Sequence, residues 1–179
     1  MHNRKKIQDN HELAILNEFI NWLNSQSHGE FKIIGRPDPP DAIIKGNGRI
    51  EWLEHTDAYR SPEEAQEERS LVTSGEKPFH RKEHPIVSPD EQIATVVVNN
   101  LHSKLQQDSY KTVYEKYGQG TLIVSERDPL FCLDTLDSIK TALSSYFFVA
   151  DRGYFKQAYL CIRSSGGYFF EEIYKRWYC

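Results

Sequence analysis

The chain has 179 residues, 39% of them hydrophobic and 12% aromatic, and this length and composition predict one folded domain. The formal net charge of −4 gives no global reason to expect nucleic-acid binding, although a local basic face remains compatible with it. No apolar run approaches the roughly 20 residues of a membrane-spanning helix, and no signal-peptide core follows the start, so we expect a cytoplasmic protein without membrane contact. Three widely separated cysteines fit reduced thiols better than a disulfide framework.

Hydrophobic periodicity predicts a helix followed by three strands in the first part of the chain. Apolar residues at spacings of three and four indicate an amphipathic helix over 7–26, and a short strand over 31–34 follows. Two apolar runs, 42–44 and 50–56, flank Gly46-Asn47-Gly48, whose glycines adopt positive φ at little steric cost. This pattern predicts a β-hairpin.

The rest of the chain alternates helices and strands. Ser-Pro-acid-acid sequences at 61–64 and 88–91 are typical of helix starts, with a hydroxyl cap and proline at the first helical position. They predict a short charged helix with a long loop after it, and then a long helix to about residue 117. A buried strand over 121–125, a helix over 134–148 and a hairpin with strands 154–163 and 168–174 complete the order. This order predicts an α/β fold, with a mixed sheet flanked by helices.

Two acids in the first hairpin are the strongest sign of chemistry. Asp41 opens the first arm and Glu51 begins the second, so we expect the hairpin to bring both carboxylates together. Carboxylate, carbonyl and water oxygens are the ligands that Mg²⁺ prefers, and the backbone carbonyl of Trp52 or Leu53 offers a third. Asp38 competes with Asp41 as the first acid. The alternative is that both acids are solvated residues at a turn and on an edge strand.

The element order and the acids together resemble the PD-(D/E)XK nuclease superfamily, whose restriction endonuclease-like core is a helix, three strands, a helix and a strand (αβββαβ). Pro40-Asp41 matches the PD of that family, and Glu51 matches its second acid. The likeness covers about 7–125 of a single domain, with a C-terminal helix and hairpin at about 130–179 as an appendage. The resemblance implies an endonuclease that uses Mg²⁺ or Mn²⁺ to hydrolyse phosphodiesters, with DNA as partner; a homodimer is compatible with it.

One position departs from the family pattern. The family's lysine is expected two residues after the second acid, where this chain has Leu53. Lys104, at the border of the buried face of the long helix, and Lys45, in the hairpin, are the candidates for a relocated cation. His55 is a candidate base or phosphate donor, and Glu12 in the first helix a further metal ligand. For each of these side chains the alternative is an ordinary surface residue, such as a lysine that extends its stem along apolar surface.

Two basic segments are further candidate binding sites, and two other functions are alternatives to a nuclease. His80 and His84 have the spacing of zinc ligands on a helix, but nearby prolines argue against a helix there. The segment 80–84 and the aromatic-basic segment 175–178 are candidate nucleic-acid contacts. Leu53 and the acidic net charge favour a catalytically inactive binding module as the main alternative to an enzyme. Paired acids also occur in glycosidases.

Overall fold

A six-stranded mixed β-sheet organises the structure, a computed structural model that describes residues 2–27, 29–59, 66–67, 88–126, 131–145, 151–164 and 166–176. The described residues form one α/β domain with helices on both faces of the sheet. None of its helices in these ranges is long and apolar enough to cross a bilayer. The elements are α1 (His2–Ser27), β1 (Lys32–Gly35), β2 (Ala42–Gly46), β3 (Arg49–Ala58), α2 (Pro89–Gln106), a 3₁₀ turn (Asp108–Tyr110), α3 (Lys111–Tyr117), β4 (Gly120–Glu126), α4 (Leu133–Ser145), β5 (Phe155–Ser164) and β6 (Gly167–Lys175).

The strands lie in the sheet in the same order as in the chain. β1, β2 and β3 pair antiparallel, β3, β4 and β5 pair parallel, and β6 returns antiparallel to β5. The antiparallel pair of β2 and β3 needs only the turn at Asn47 and Gly48, which have φ of 49° and 73°. Parallel neighbours need longer crossovers, and α2 with α3 and then α4 supply them. The predicted α/β class and mixed sheet are therefore confirmed, as is the predicted order of the helices and strands within the described residues.

Alternation along β3 divides the interior into two cores. Trp52 belongs to the core formed with α2 and α4, whereas its neighbour Leu53 belongs to the core formed with α1. Successive side chains of a strand point to opposite faces, so each residue of β3 can be assigned to one of these two sides. Every residue of β4 is buried, as predicted for a strand that is covered on both faces.

The predicted long helix is interrupted at its C-terminal end. α2 ends at Gln106 because Gln107 adopts extended backbone angles (φ −70°, ψ 128°), and a 3₁₀ turn then leads to α3. Asp108 and Ser109 in this turn are residue types that compete with helical hydrogen bonds. At the other end of α2, Ser88 precedes the helix as predicted but makes no side-chain capping bond. The interruption orients Tyr110 into the interior, where it is fully buried.

Residues that were predicted to form an appendage belong to the sheet. β5 pairs with β4 over residues 155–161, and its side chains enter both cores. β5 and β6 therefore complete the same domain, because a sheet that ended at β4 would expose that buried strand at its edge. Among the cysteines, Cys132 and Cys161 are free thiols. The predicted charged helix, apart from residues 66–67, and the loop after it lie outside the described residues, as do 146–150.

A close approach of two strands gives the first testable prediction. A Cβ atom on Gly120 would lie 2.4 Å from two ring carbons of Trp52. The ring is fixed by burial and by its hydrogen bond from Nε1 to the carbonyl oxygen of Gly118 at 2.7 Å. We expect Gly120→Ala to lower the free energy of unfolding by roughly 1–3 kcal/mol, the usual cost of overpacking, in chemical denaturation. Gly35→Ala is the control, because its Cβ would meet nothing within 4 Å; equal effects would contradict this packing.

Candidate carboxylate site

The register of the first hairpin determines which acids lie together. Antiparallel pairing reaches Ala42 opposite Leu53 at the start of β2. Residues directly opposite each other in such a pair share one face of the sheet, so the next position places Asp41 beside Glu54. The Asp41 carboxylate accepts a hydrogen bond from the backbone N–H of His55, with 2.7 Å between Oδ2 and N. Asp41 therefore lies directly against the part of β3 that carries Glu54.

Glu51, the predicted second acid, lies on the other face of the sheet. It is paired with Ile44, whose side chain belongs to the α1 core. Its carboxylate forms an ion pair with Lys156 of β5, with 2.6 Å between Oε2 and Nζ. The structure therefore does not bring Asp41 and Glu51 together. The reason is the two-residue turn, which sets Asp41 level with Glu54, three residues further along β3.

The Glu54 carboxylate is buried, and only one of its two oxygens accepts hydrogen bonds from the described residues. Its side chain is 7% exposed, and Oε1 accepts hydrogen bonds from Lys104 Nζ and from the Tyr110 hydroxyl, each at 2.8 Å. Nζ is also 3.1 Å from the Tyr110 oxygen, so the three groups form a closed network. Oε2 is buried as well, yet it has no hydrogen-bond partner among the described residues. A buried carboxylate oxygen without a partner is costly, which marks this atom as a candidate ligand.

Burial and neighbouring charges change the pKa of the Asp41 carboxyl. Burial, and after it the negative charge of Glu54, raises the pKa of the Asp41 carboxyl from 3.8 to about 7, and Glu12 raises it further. The hydrogen bond from the backbone of His55 and the charge of Lys104 act in the opposite direction. Asp41 therefore lies close to two other acidic side chains. A bound cation would favour the ionised form of the Asp41 carboxyl.

Arg36 joins α1 to the start of β2 and so holds Glu12 near the site. Its guanidinium donates hydrogen bonds to the backbone oxygen of Asp41 at 3.2 Å and to that of Asp9 at 3.4 Å. It also pairs with Glu12, with 3.4 Å between Nη2 and Oε2. Glu12 contributes to the charge around Asp41, as the pKa of Asp41 reflects, while its own carboxylate is held by Arg36. The predicted third acid is thus close enough to act electrostatically.

Of the two predicted cations, only Lys104 enters this network. It reaches Glu54 from α2, across the sheet face that carries Trp52. Lys45 is exposed and lies four residues beyond Asp41 along β2, which corresponds to about 13 Å in an extended strand. His55 contributes its backbone N–H to Asp41, but its side chain points to the α1 face of β3 and contacts Ser125. The imidazole that was predicted to act as a base or phosphate donor therefore lies on the opposite face of β3 from Glu54.

The two basic segments that were predicted to contact nucleic acid give no further support for such a contact. Lys175 pairs with Glu172 at 3.4 Å, and Arg176 pairs with Asp151 at 2.9 Å, so both basic groups already have acidic partners. Residues 177–178 and 80–84 lie outside the described residues. The geometry thus selects Asp41 and Glu54 as the two carboxylates of one site, with Lys104, Tyr110 and Glu12 around them. Sequence analysis assigned no role to Glu54.

The raised pKa of Asp41 predicts that the stability of the protein depends on pH. Between about pH 4 and 7 the native protein keeps a proton on Asp41 that the unfolded chain has released, so the stability of the wild type falls as pH rises through this window. Asp41→Asn keeps an oxygen that can accept the bond from His55 but cannot ionise. We expect it to be more stable than wild type by roughly 1–2 kcal/mol at pH 8 in EDTA, with partial solvent access limiting the gain.

The measurement is thermal unfolding of both proteins from pH 4 to pH 8. The difference between them should be smallest at pH 4, because the native Asp41 is then neutral and the unfolded Asp41 is only partly ionised. Asp137→Asn, at an exposed position of α4, is the matched control and should follow the wild type at every pH. A stabilisation by Asp41→Asn that is the same at pH 4 and pH 8 would contradict the charge explanation.

Comparison with known proteins adds no identification. No protein-family model, curated protein or solved structure shows a significant match to this chain.

Proposed function

We propose that the protein is a metal-dependent phosphodiester hydrolase, a DNA endonuclease of the PD-(D/E)XK type, in which Asp41 and Glu54 are the metal-binding acids. The observation that carries the proposal is the buried Glu54 oxygen without a partner, located beside a second carboxylate whose pKa is raised to about 7. The order of elements, helix, three strands, helix and strand, supports the restriction endonuclease-like arrangement. Pro40-Asp41, directly before β2, resembles the PD motif of that family and also supports the proposal.

The donor set fits Mg²⁺ or Mn²⁺. The available ligands are carboxylate oxygens, which hard divalent cations prefer, and neither a thiol nor an imidazole side chain joins Asp41 and Glu54 among the described contacts. Asp41 and Glu54 would hold the ion, which would polarise a phosphate oxygen and lower the pKa of a bound water. Glu12, beside them, adds negative charge that favours the cation.

Lys104 supplies the cation that the family motif requires. With Glu54 as second acid, the position two residues later is Thr56, so the lysine is again absent from the strand. The Lys104 ammonium reaches the same carboxylate from α2 at 2.8 Å. A charge at this place can stabilise an anionic phosphate or orient a nucleophilic water. The hydroxyl of Tyr110, whose pKa burial and Glu54 raise above its ordinary value, stays protonated and orients the carboxylate as a donor.

A specific observation also favours a second candidate function. Lys104 is already bound to both Glu54 and Tyr110, and such a buried network can serve structure alone. In that case the fold is a nucleic-acid- or protein-binding module without catalysis.

The test is cleavage of supercoiled plasmid DNA by the purified protein with Mg²⁺ or Mn²⁺ and with EDTA, and of a single-stranded RNA in parallel. We expect metal-dependent nicking or cutting of DNA that Asp41→Asn abolishes. DNA binding without cleavage under any metal would support the inactive module. Cleavage that survives Asp41→Asn would contradict the proposed site.

A further inference from the structure

A second group of ligating side chains lies on the α1 face of β3, opposite the Lys104 side of the sheet. His55 and Asp57 are two residues apart in β3, so they share this face. His11 reaches them from α1, and the two imidazole rings meet edge to face with 5.9 Å between their centroids. One ligand atom of each of the three residues lies within 4.8 Å of the other two. The proposed hydrolase mechanism uses none of these side chains.

Two of the three distances between the ligand atoms are close to those in a tetrahedral metal site. His11 Nε2 is 3.4 Å and His55 Nε2 is 3.6 Å from the same oxygen, Asp57 Oδ1. In a tetrahedral zinc site with bonds of about 2.0–2.1 Å, any two ligand atoms are separated by about 3.3 Å. Shortening these two distances by a few tenths of an ångström, or less, would therefore give the ligand spacing of a tetrahedral site.

Both histidines contact the same oxygen atom of Asp57. The two distances lie beyond the usual hydrogen-bond range of about 2.7–3.2 Å. His55 also presents the same nitrogen, Nε2, to the hydroxyl of Ser125 at 2.8 Å. A catalytic serine, histidine and aspartate would instead use the two opposite ring nitrogens. One ligand atom of each residue lies within 4.8 Å of the others, and metal binding would replace the bond from His55 to Ser125.

Burial gives the cluster a closed side and an open side. The His55 side chain is 2% exposed, whereas Asp57 and His11 are 20% and 26% exposed. An ion can therefore enter from solvent along α1, while the deepest ligand is held by the sheet. Three protein ligands of this type leave a fourth position for water or another ligand.

We propose that His11, His55 and Asp57 form a binding site for a zinc-like divalent transition metal, separate from the Asp41–Glu54 site. Two imidazoles and one carboxylate suit Zn²⁺ or Co²⁺ and not Mg²⁺, which prefers oxygen ligands. Binding links α1 to β3 and thereby fixes the helix that also carries Glu12.

The test is titration of the chelator-treated 179-residue protein with Zn²⁺ by calorimetry and with Co²⁺ by visible absorption. We expect one Zn²⁺ per chain at this site and a Co²⁺ spectrum of tetrahedral intensity. His11→Ala, a change at a partly exposed helix position, should weaken binding at least about 10-fold, and Asp57→Asn should do the same. His102→Ala, a partly buried histidine of α2, is the matched control and should bind like the wild type.

Glu54→Gln should also bind Zn²⁺ like the wild type, because Glu54 lies on the opposite face of β3. Wild-type protein that binds no Zn²⁺, or Zn²⁺ binding that His11→Ala and Asp57→Asn leave unchanged, would overturn the proposal. Loss of binding in Glu54→Gln but not in His11→Ala would assign the ion to the carboxylate site instead.

Discussion

Glu54→Gln is expected to lower the rate of metal-dependent DNA cleavage by about 100-fold or more. Glutamine keeps the volume of the side chain and an oxygen that can accept bonds from Lys104 and Tyr110. It removes the charge and the anionic oxygen proposed to bind the cation. Loss of metal-based charge stabilisation amounts to several kcal/mol of the barrier, and each 1.36 kcal/mol is about a factor of ten. The measurement is the single-turnover rate of plasmid nicking in saturating Mg²⁺ or Mn²⁺.

Glu51→Gln is the matched control for this experiment. It makes the same chemical change three residues earlier in the same strand, on the face where Glu51 pairs with Lys156. We expect its cleavage rate to stay within about threefold of wild type, because a partly exposed ion pair away from the reacting groups contributes little. The reverse result, with Glu51→Gln inactive and Glu54→Gln active, would restore the pair expected from sequence and contradict the site described above.

Lys104→Met is the second variant with a large expected effect. Methionine preserves much of the apolar stem and removes the ammonium that lies 2.8 Å from Glu54. Groups that position water or stabilise charge in a transition state typically contribute about 10²–10⁴ in rate, so we expect a loss of at least about 100-fold in cleavage. Lys45→Met is the control, because Lys45 is exposed and outside the network; its rate should match that of wild type.

Stability must be measured alongside activity for Lys104. Removing one partner of a buried ion pair can cost about 3–5 kcal/mol, so Lys104→Met is expected to unfold at a lower temperature than wild type. The double variant Glu54→Gln/Lys104→Met removes both charges and should recover part of that loss. Rates are therefore compared well below the melting temperatures. If Lys104→Met, folded at the assay temperature, cleaves DNA at the wild-type rate, the ion pair is structural and the catalytic role of Lys104 is excluded.

Much of the fold follows from local patterns in the sequence. The amphipathic spacing in α1, the Asn47-Gly48 turn and the continuous apolar run of β4 each depend on neighbouring residues, and each was predicted. The end of α2 was not, because residues 107–109 interrupt a helix whose hydrophobic spacing continues toward Tyr110. Tertiary burial of Tyr110 beside Glu54 stabilises this interruption, and local periodicity carries no trace of such a contact.

To predict the candidate site from the sequence, the pairing register of the first hairpin is also needed. Asp41 was identified from its place at the mouth of the hairpin, but the assignment of Glu51 ignored the register. A two-residue turn pairs Gly46 with Arg49, and counting outward from that pair sets Asp41 opposite Glu54. The sequence therefore held the information needed to find Glu54. The contact from Lys104 could not be derived in this way, because it depends on how α2 packs across the sheet.

The histidine cluster shows the same division between local and long-range information. His55 and Asp57 share a strand face that the alternation of β3 makes visible. His11 joins them from 44 residues away from His55, and only the docking of α1 on the sheet brings it near. The apolar residues of α1 predicted that docking in general but not the position of His11 over β3.

Binding of Mn²⁺, followed by the loss of its free-ion paramagnetic resonance signal, tests most directly whether Asp41 and Glu54 form one metal site. All proteins should carry His11→Ala, so that the histidine cluster does not contribute. In that background we expect one Mn²⁺ per chain, bound at least about 10-fold more weakly after Glu54→Gln and unchanged after Glu51→Gln. Mn²⁺ binding that Glu54→Gln leaves intact, or that Glu51→Gln abolishes, would contradict the site.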